Sequence, residues 1–343
     1  MVSTMISTML TILLIVAALY GFHRYRNYWA NKDLNCVYTV PFDGKLYQIG
    51  HNMVAKRIVA KRADRAKPKR TIICFPGLFE DMRYFVELYQ NTDAELILIN
   101  NADYHSPFAA QHVEITGWGD ANPYRVATIA YDAFVMYQVI KNLATTTNIT
   151  LHGHSRGGAV ILEVAKQNPR LMDEVFALLE APVLPQANIV GKNETLMNYG
   201  GYYLFPLAFA FLRLLPERMR LLSPLMKIST PVKKNMFASF CFNPKHYRTI
   251  IESIQDISAW HKISTYELYQ NFKSITVVVG ERDGVLSRRA MMKSAAQAER
   301  VNVIQTTGTN HFVSLERPGV MLEILDLLWS DVSLPLPAAY DFT

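Results

Sequence analysis

A serine lies at the centre of the pentapeptide Gly153-His154-Ser155-Arg156-Gly157, which has the pattern Gly-x-Ser-x-Gly. The residues before it, 148–152, favour a strand, and residues 159–166 favour a helix with small and apolar side chains on one face. A serine on a tight turn between a strand and a helix is presented as a nucleophile, and glycines beside it let the two elements approach closely. The pattern therefore predicts a nucleophilic Ser155, against the alternative of a turn that merely contains a serine.

A serine hydroxyl is a weak nucleophile until a base takes its proton, and the base needs a third group to fix its tautomer. Asp283 follows a predicted strand at 274–279, and His311 follows the next one, at 301–304. Loops that follow successive parallel strands gather at one edge of a sheet, which is where Ser155 is expected. Glu180, at the end of a predicted strand at 175–179, is the rival acid.

Three motifs, in this order, resemble those of the α/β-hydrolase fold superfamily: Gly-His-Ser-Arg-Gly-Gly, Val-Gly-Glu-Arg-Asp-Gly and Gly-Thr-Asn-His-Phe. The resemblance covers about residues 36–330 and is to serine hydrolases of the lipase and esterase type. It implies that Ser155 attacks an acyl carbonyl, that His311 takes and returns the proton, and that Asp283 orients His311. It further implies an oxyanion hole built from the backbone N–H groups of Leu78 and Arg156, with no cofactor and no metal.

The sequence departs from that superfamily pattern at three places. Pro76-Gly77 stands where His-Gly is usual, so the choice of oxyanion donor is less firmly fixed. The loop at 100–107 lacks the common Asp-x-x-Gly-x-Gly-x-Ser pattern. Arg156 is charged where many members carry Met, Leu or Gln, and we expect it to pair with a carboxylate or to contact a polar head group.

Alternating strand and helix patterns predict an α/β fold with a mostly parallel central sheet and flanking helices. A hairpin is predicted at 36–49 around a turn at 41–44, and a long helix at 122–143 with Asn122-Pro123 as its cap and first turn. The alternation stops between residues 183 and 272, which are helical in pattern, aromatic and interrupted by prolines. We therefore expect a helical cap at 183–272, inserted into a core made of 36–182 and 273–330.

Residues 1–22 carry no charged side chain, and about twenty apolar residues in a helix span a bilayer core. This predicts a transmembrane anchor at 1–30, with a cleaved signal peptide and a buried helix as alternatives. Arg24, Arg26 and Lys32 follow the span, so the positive-inside rule predicts a single-pass protein with its catalytic domain in the cytoplasm.

The chain of 343 residues has a net charge of +6, and its basic residues concentrate between Lys56 and Arg70. This run is predicted either to contact anionic lipid head groups or to be a solvated loop. Nucleic-acid binding is not predicted, because no recognised module or interleaved aromatic pattern accompanies the charge. The 3 cysteines are far apart and odd in number, which excludes a disulfide framework and a Cys-x-x-Cys metal site.

These patterns together predict a membrane-anchored serine hydrolase that cleaves carboxylic esters or thioesters of lipid-derived, apolar acyl chains. An acyltransferase would use the same three residues and pass the acyl group to an alcohol. A non-catalytic lipid-binding or partner-docking module is the alternative from another class. A dehalogenase is disfavoured because the turn between strand and helix carries Ser155, whereas that chemistry needs an aspartate at this position. The oligomeric state stays open.

Overall fold

The computed structural model describes residues 2–30, 39–57, 68–109, 112–119, 121–187, 232–233, 236 and 246–330. These residues contain a nine-stranded sheet of order β5-β1-β2-β4-β3-β6-β7-β8-β9. Its strands are β1 Gly44–Ile49, β2 Asn52–Arg57, β3 Thr71–Phe75, β4 Glu95–Ile99, β5 Val113–Thr116, β6 Ile149–His154, β7 Phe176–Glu180, β8 Ser274–Gly280 and β9 Val301–Thr306. From β4 to β9 the sheet is parallel, and β2 runs antiparallel to both of its neighbours.

Helices cover both faces of this sheet. The helices in the described ranges are α1 Val2–Ala30, whose segment Thr4–Phe22 is not buried against the sheet, and α2 Arg83–Val86, α3 Ile129–Asn142, α4 Arg156–Gln167, α5 Pro169–Met172, α6 His246–Ile263, α7 Arg288–Ala295, α8 Val313–Glu316 and α9 Pro318–Trp329, with 3-10 turns at Gly117–Gly119 and Tyr266–Asn271. Side chains alternate along each strand, so Ile73 and Phe75 pack with α3 and α4, while Ile72 and Cys74 pack with α2 and α9. Burial on both faces explains why the central strands are continuous apolar runs.

The predicted fold class is confirmed, and the strands predicted at 148–152, 175–179, 274–279 and 301–304 are all found within two residues of their expected ends. The strand before Ser155 ends at His154, two residues later than predicted. The chain places β4 on one side of β3 and then crosses to place β6 on the other. A crevice forms outside the carboxyl ends of parallel strands where the winding direction reverses in this way.

The hairpin predicted at 36–49 was wrong in position. The hairpin joins β1 to β2 through Gly50 and His51, and Gly50 has the positive φ of 54° that a two-residue loop favours. The stretch predicted as the turn instead docks on a distant loop. Phe42 stacks on Phe108 with ring centroids 4.2 Å apart, and Val40 bridges to the same residue.

The long helix was also predicted to begin too early. Ala127 has a φ of 68°, which interrupts the helical path, and α3 starts only after Thr128, whose hydroxyl accepts the Tyr131 N–H at 3.2 Å. Asn122 accepts the Tyr124 N–H at 3.0 Å and donates to the Tyr131 carbonyl at 3.0 Å, so it caps a local turn that lies before α3. The strand β5 was not among the predicted strands, and it pairs parallel with β1 at the edge of the sheet.

The helix α1 carries the one segment, Thr4–Phe22, that is long and apolar enough to cross a bilayer among the residues described. None of that segment is buried against protein, so the alternative of a buried N-terminal helix is wrong.

Most of the predicted cap, including 188–231 and 237–245, lies outside the described residues. Within the predicted range, α6 packs against α3 and α4. Its Trp260 indole donates to Glu163 at 2.8 Å, and its Asp256 accepts the Ile129 N–H at 2.6 Å.

Candidate active site

Ser155 lies on a sharp turn between β6 and α4, with φ 51° and ψ −113°. This conformation is unfavourable for a residue with a side chain, and it persists only when the surroundings fix it. The Ser155 N–H donates to the Glu180 carbonyl at 2.9 Å, and the Ser155 carbonyl accepts from Gly158 and Val183 at 3.1 and 2.9 Å. The turn is thus held from both sides, and Ser155 stays 8% exposed at the sheet edge.

The glycine after the turn is required by a close backbone approach. A Cβ on Gly157 would collide with the carbonyl oxygen of Phe75 at the end of β3. The helix α4 therefore starts directly against the neighbouring strand, which is the close packing that the Gly-x-Ser-x-Gly pattern predicts.

Asp283 and His311 are brought together at the same edge. Asp283 follows β8, His311 follows β9, and the His311 Nδ1 lies 2.8 Å from Asp283 Oδ2. The other Asp283 oxygen accepts the N–H groups of Val285 and Leu286 at 2.8 and 2.9 Å. Burial alone would raise the pKa of Asp283, but its hydrogen bond and charge interaction with His311 lower it. The ionised carboxylate accepts the Nδ1 proton, which leaves Nε2 of His311 as the basic nitrogen.

His311 contacts the serine turn through His154, the residue before Ser155. The His154 Nε2 lies 2.8 Å from the His311 carbonyl oxygen, and the two imidazole centroids are 4.8 Å apart. No hydrogen bond joins Ser155 Oγ to the His311 ring in the part of the chain that the structure describes. Such a contact is often loose before substrate binds.

Glu180, the rival acid, has other partners. Its carboxylate accepts the Tyr84 hydroxyl at 2.6 Å, the Ser314 N–H at 2.6 Å and the Ser314 hydroxyl at 2.5 Å, and it lies 3.2 Å from His152. Burial would raise its pKa, but the hydrogen bond from His152 and the nearby charge of His154 lower it to about 2. Glu180 therefore anchors the start of α8, directly after His311.

His154 is a buried cation. Its Nε2 faces a carbonyl, which can only accept, and its Nδ1 lies 2.6 Å from Glu80 Oε2, which also accepts the Gly77 N–H at 2.7 Å. Both ring nitrogens therefore donate. Burial would lower the pKa of His154, but the charge and hydrogen bond of Glu80 raise it to about 9.

A pH dependence of stability follows. Because the folded-state pKa of His154 lies above the unfolded value of about 6.5, its contribution is fully present below about pH 6.5 and is lost as the pH rises through about 9. We expect the free energy of unfolding, measured by urea titration, to fall more steeply for the wild type than for His154→Gln between about pH 7 and pH 10. Parallel curves would contradict a charged His154.

Arg156, the residue after the nucleophile, pairs with a carboxylate, which was one of the two outcomes expected for it. It is fully buried, and its Nη1 donates to Asp132 Oδ2 at 2.6 Å and to Asn101 Oδ1 at 2.7 Å. As the first residue of α4, its own backbone N–H has no intrahelical acceptor.

The other predicted oxyanion donor, Leu78, lies in the loop after β3. The neighbouring Gly77 is so close to the elbow that a Cβ added there would lie 2.9 Å from the Ser155 Cβ. The N–H of Leu78 makes no hydrogen bond to any residue of the described ranges. Two uncommitted backbone donors therefore lie beside Ser155, with helix α4 directed at the same place.

No sequence pattern indicated Glu80, Asn101 or Asp132, because each binds a partner in the site that lies more than twenty residues away along the chain. His152 and His154 are both fully buried. Both have protein partners, since His152 Nδ1 lies 2.7 Å from the Tyr89 hydroxyl. No cluster of three side chains suited to a metal occurs within the described residues.

Solved structures of similar fold carry the names of different enzymes. The enol-lactonase of Burkholderia xenovorans LB400 superimposes with a TM-score of 0.59 at 12% identity, over 83% of this chain and 100% of that one. A bromoperoxidase of Bacillus anthracis gives 0.57 at 14%, over 84% and 100%. A lipase-esterase related protein of Clostridium acetobutylicum ATCC 824 gives 0.53 at 18%, over 76% and 95%. At these identities the likeness establishes the fold alone.

The sheet order, the strained serine turn and the bonded acid–histidine pair define a class of α/β proteins built around a nucleophile elbow. The profile described as the Alpha/beta hydrolase family matches residues 72–324, which is most of the chain. The chain belongs to this family. A search among curated protein sequences gives no match.

Proposed function

We propose that this protein is a serine hydrolase that cleaves carboxylic esters or thioesters through an acyl-enzyme. The observation that carries the proposal is the bonded Asp283–His311 pair at the sheet edge where Ser155 is held with φ 51°. A carboxylate, an imidazole and a serine on a strained elbow are the groups that nucleophilic acyl transfer requires.

In the proposed reaction, Ser155 Oγ forms a bond to the acyl carbon while its proton moves to Nε2 of His311. The resulting oxyanion is stabilised by the N–H groups of Leu78 and Arg156. Collapse breaks the bond from carbon to the leaving oxygen or sulfur, and His311 gives its proton to that atom. Water then attacks the acyl-enzyme, His311 takes a proton from the water, and the proton returns to Ser155 as the acid leaves.

Labelling with a fluorophosphonate probe tests this proposal. We expect the wild-type chain in detergent to be labelled, Ser155→Ala to be unlabelled, and ester turnover to fall by about 10⁴- to 10⁶-fold in that variant. Ser330→Ala is a matched control, because Ser330 is exposed at the end of α9 and bonds only to the turn before it. A folded wild type that neither labels nor hydrolyses any ester would favour the non-catalytic module.

The substrate class is proposed to be lipid-derived, because the chain combines this site with an apolar N-terminal helix. A panel of p-nitrophenyl esters from acetate to palmitate tests this point, and a preference for acetate would contradict it. Addition of an alcohol acceptor separates hydrolysis from acyl transfer. Dominant ester formation with the alcohol would identify the protein as an acyltransferase.

We further propose that α1 anchors the protein in a membrane with the catalytic domain in the cytoplasm. Support comes from the exposed apolar segment Thr4–Phe22 and from the positive charges that follow it. The full chain should stay in the membrane pellet after carbonate extraction, whereas a variant lacking residues 2–30 should enter the supernatant and still label at Ser155. Release of the full chain, or its processing to a shorter form, would favour a cleaved signal peptide.

The basic run contributes less to membrane binding than its charge suggests. Lys56 bonds to the Leu143 carbonyl and to Glu95, each at 2.7 Å, and Arg57 bonds to the Tyr89 carbonyl at 2.7 Å. Arg70 lies over the Trp329 ring at 4.5 Å. The remaining candidates for lipid contact are Lys69 and the basic residues at 61–67, and 61–67 lie outside the described ranges.

A further inference from the structure

The peptide group between Gly77 and Leu78 is held by a side chain from the loop after β4. The Gly77 carbonyl accepts a hydrogen bond from Asn101 Nδ2 at 3.0 Å. This peptide is trans, as are all peptides of the described chain, and a trans peptide directs its C=O and its N–H in opposite directions. Holding the Gly77 carbonyl on Asn101 therefore directs the Leu78 N–H away from Asn101.

Asn101 is itself held in one orientation. Its Oδ1 accepts from Arg156 Nη1 at 2.7 Å, so its amide nitrogen must be the atom that faces the Gly77 carbonyl. The same Nη1 donates to Asp132 Oδ2 at 2.6 Å, and the other Asp132 oxygen accepts from Asn52 at 2.7 Å. Asn101, Arg156 and Asp132 are each at most 2% exposed, so water does not compete for these bonds.

Arg156 thus contributes to both proposed oxyanion donors. Its backbone N–H is one proposed oxyanion donor, and its guanidinium fixes the residue that orients the peptide of the other donor. The N–H of Gly77, which belongs to the preceding peptide, donates to Glu80 Oε2 at 2.7 Å, so this segment of the loop is restrained at both ends. Asn101 satisfies an N–H of the buried guanidinium through its Oδ1, and its Nδ2 extends the same network to the loop that carries Leu78.

We propose that Asn101, held by Arg156 and Asp132, is a positioning residue that directs the Leu78 N–H at the oxyanion formed on Ser155. This inference rests on the proposed function. An oxyanion exists only after attack, so a misdirected donor costs transition-state binding and leaves substrate binding unchanged. Its loss should lower kcat and leave KM in place.

The test uses Asn101→Asp in the full chain in detergent. Aspartate keeps the size of the side chain and an oxygen for Arg156, but it has no N–H for the Gly77 carbonyl. Asn100→Asp is the matched control, because Asn100 is equally buried and its Nδ2 donates to the His105 carbonyl at 2.9 Å, away from Gly77. The pair Asn101→Ala and Asn100→Ala serves as a neutral version if the buried aspartates prevent folding.

We expect kcat on a short p-nitrophenyl ester to fall by about 10- to 10³-fold in the Asn101 variants, with KM within about threefold of the wild type. Inhibition by a trifluoromethyl ketone, which forms an oxyanion on the serine, should weaken by a similar factor. The Asn100 controls should keep both values within about threefold.

Folded Asn101 variants whose kcat and ketone inhibition match those of the Asn100 controls would overturn the inference while leaving the proposed function intact. A kcat loss of equal size in both pairs would also overturn it, since it would reflect general loosening of the loop after β4. A wild type that is neither labelled nor active would overturn the proposed function and this inference with it.

Discussion

Replacing Asp283 with asparagine should lower kcat by about 10⁴-fold and leave KM nearly unchanged. The carboxylate accepts the Nδ1 proton of His311 at 2.8 Å and so leaves Nε2 free to accept from Ser155. An asparagine in the same place presents an N–H₂ group to Nδ1. That arrangement favours the tautomer with its proton on Nε2, which cannot act as a base toward the serine.

The comparison with Glu180→Gln makes this prediction specific. Glu180 binds Tyr84, Ser314 and His152 within the core, so its replacement should lower the urea midpoint of unfolding far more than Asp283→Asn does. Steady-state kinetics and urea titration of the two variants should therefore rank them in opposite order. If Glu180→Gln removed the activity and Asp283→Asn kept it, Glu180 would be the acid of the triad.

Removing Asp132, the charge partner of Arg156, should cause the largest loss of stability among the proposed single substitutions. Asp132→Leu leaves a guanidinium fully buried, and among the described residues Asp132 is the one carboxylate bonded to it. The Nε and Nη2 atoms of Arg156 also have no hydrogen-bond acceptor within the described ranges. Breaking a buried pair in this way typically costs about 3–5 kcal/mol, so we expect a decrease of that size in the free energy of unfolding.

The double variant Asp132→Leu with Arg156→Met is the control for this prediction. It removes both charges and fills the space with apolar side chains, an exchange that is often neutral or stabilising. Urea unfolding followed by circular dichroism should show most of the lost stability restored. A double variant as unstable as Asp132→Leu would mean that the cost arises from packing around Asp132.

The core of this fold was predictable because it depends on local patterns. Buried parallel strands are continuous apolar runs, and β7 and β8 were predicted within one residue of their observed ends. The order of Ser155, Asp283 and His311 also follows from the sequence, since each comes directly after a strand of the parallel sheet. Their convergence requires only that the strands point the same way.

The errors arose where distant contacts override local preference. Asn122-Pro123 has good helix-start chemistry, yet the backbone at Ala127 delays the start of α3 to Ile129. The turn-like stretch at 41–44 lies against Phe108 because two aromatic rings stack there. The carboxylates that bind His154 and Arg156 belong to other elements of the fold, and no spacing in the sequence connects them. The predicted cap lies mostly outside the described ranges.

The two basic side chains on either side of Ser155 pair with different carboxylates: His154 pairs with Glu80, and Arg156 pairs with Asp132. The serine turn therefore depends on residues outside the Gly-x-Ser-x-Gly segment. Suppose that a chimera replaces this turn with a Gly-x-Ser-x-Gly segment whose two variable residues are uncharged. The buried carboxylates of Glu80 and Asp132 would then both lose their charged partners. Exchange of this segment with that of a relative should preserve the fold only when positions 80 and 132 are exchanged as well. In related chains, positions 80 and 154 should change together, and so should positions 132 and 156.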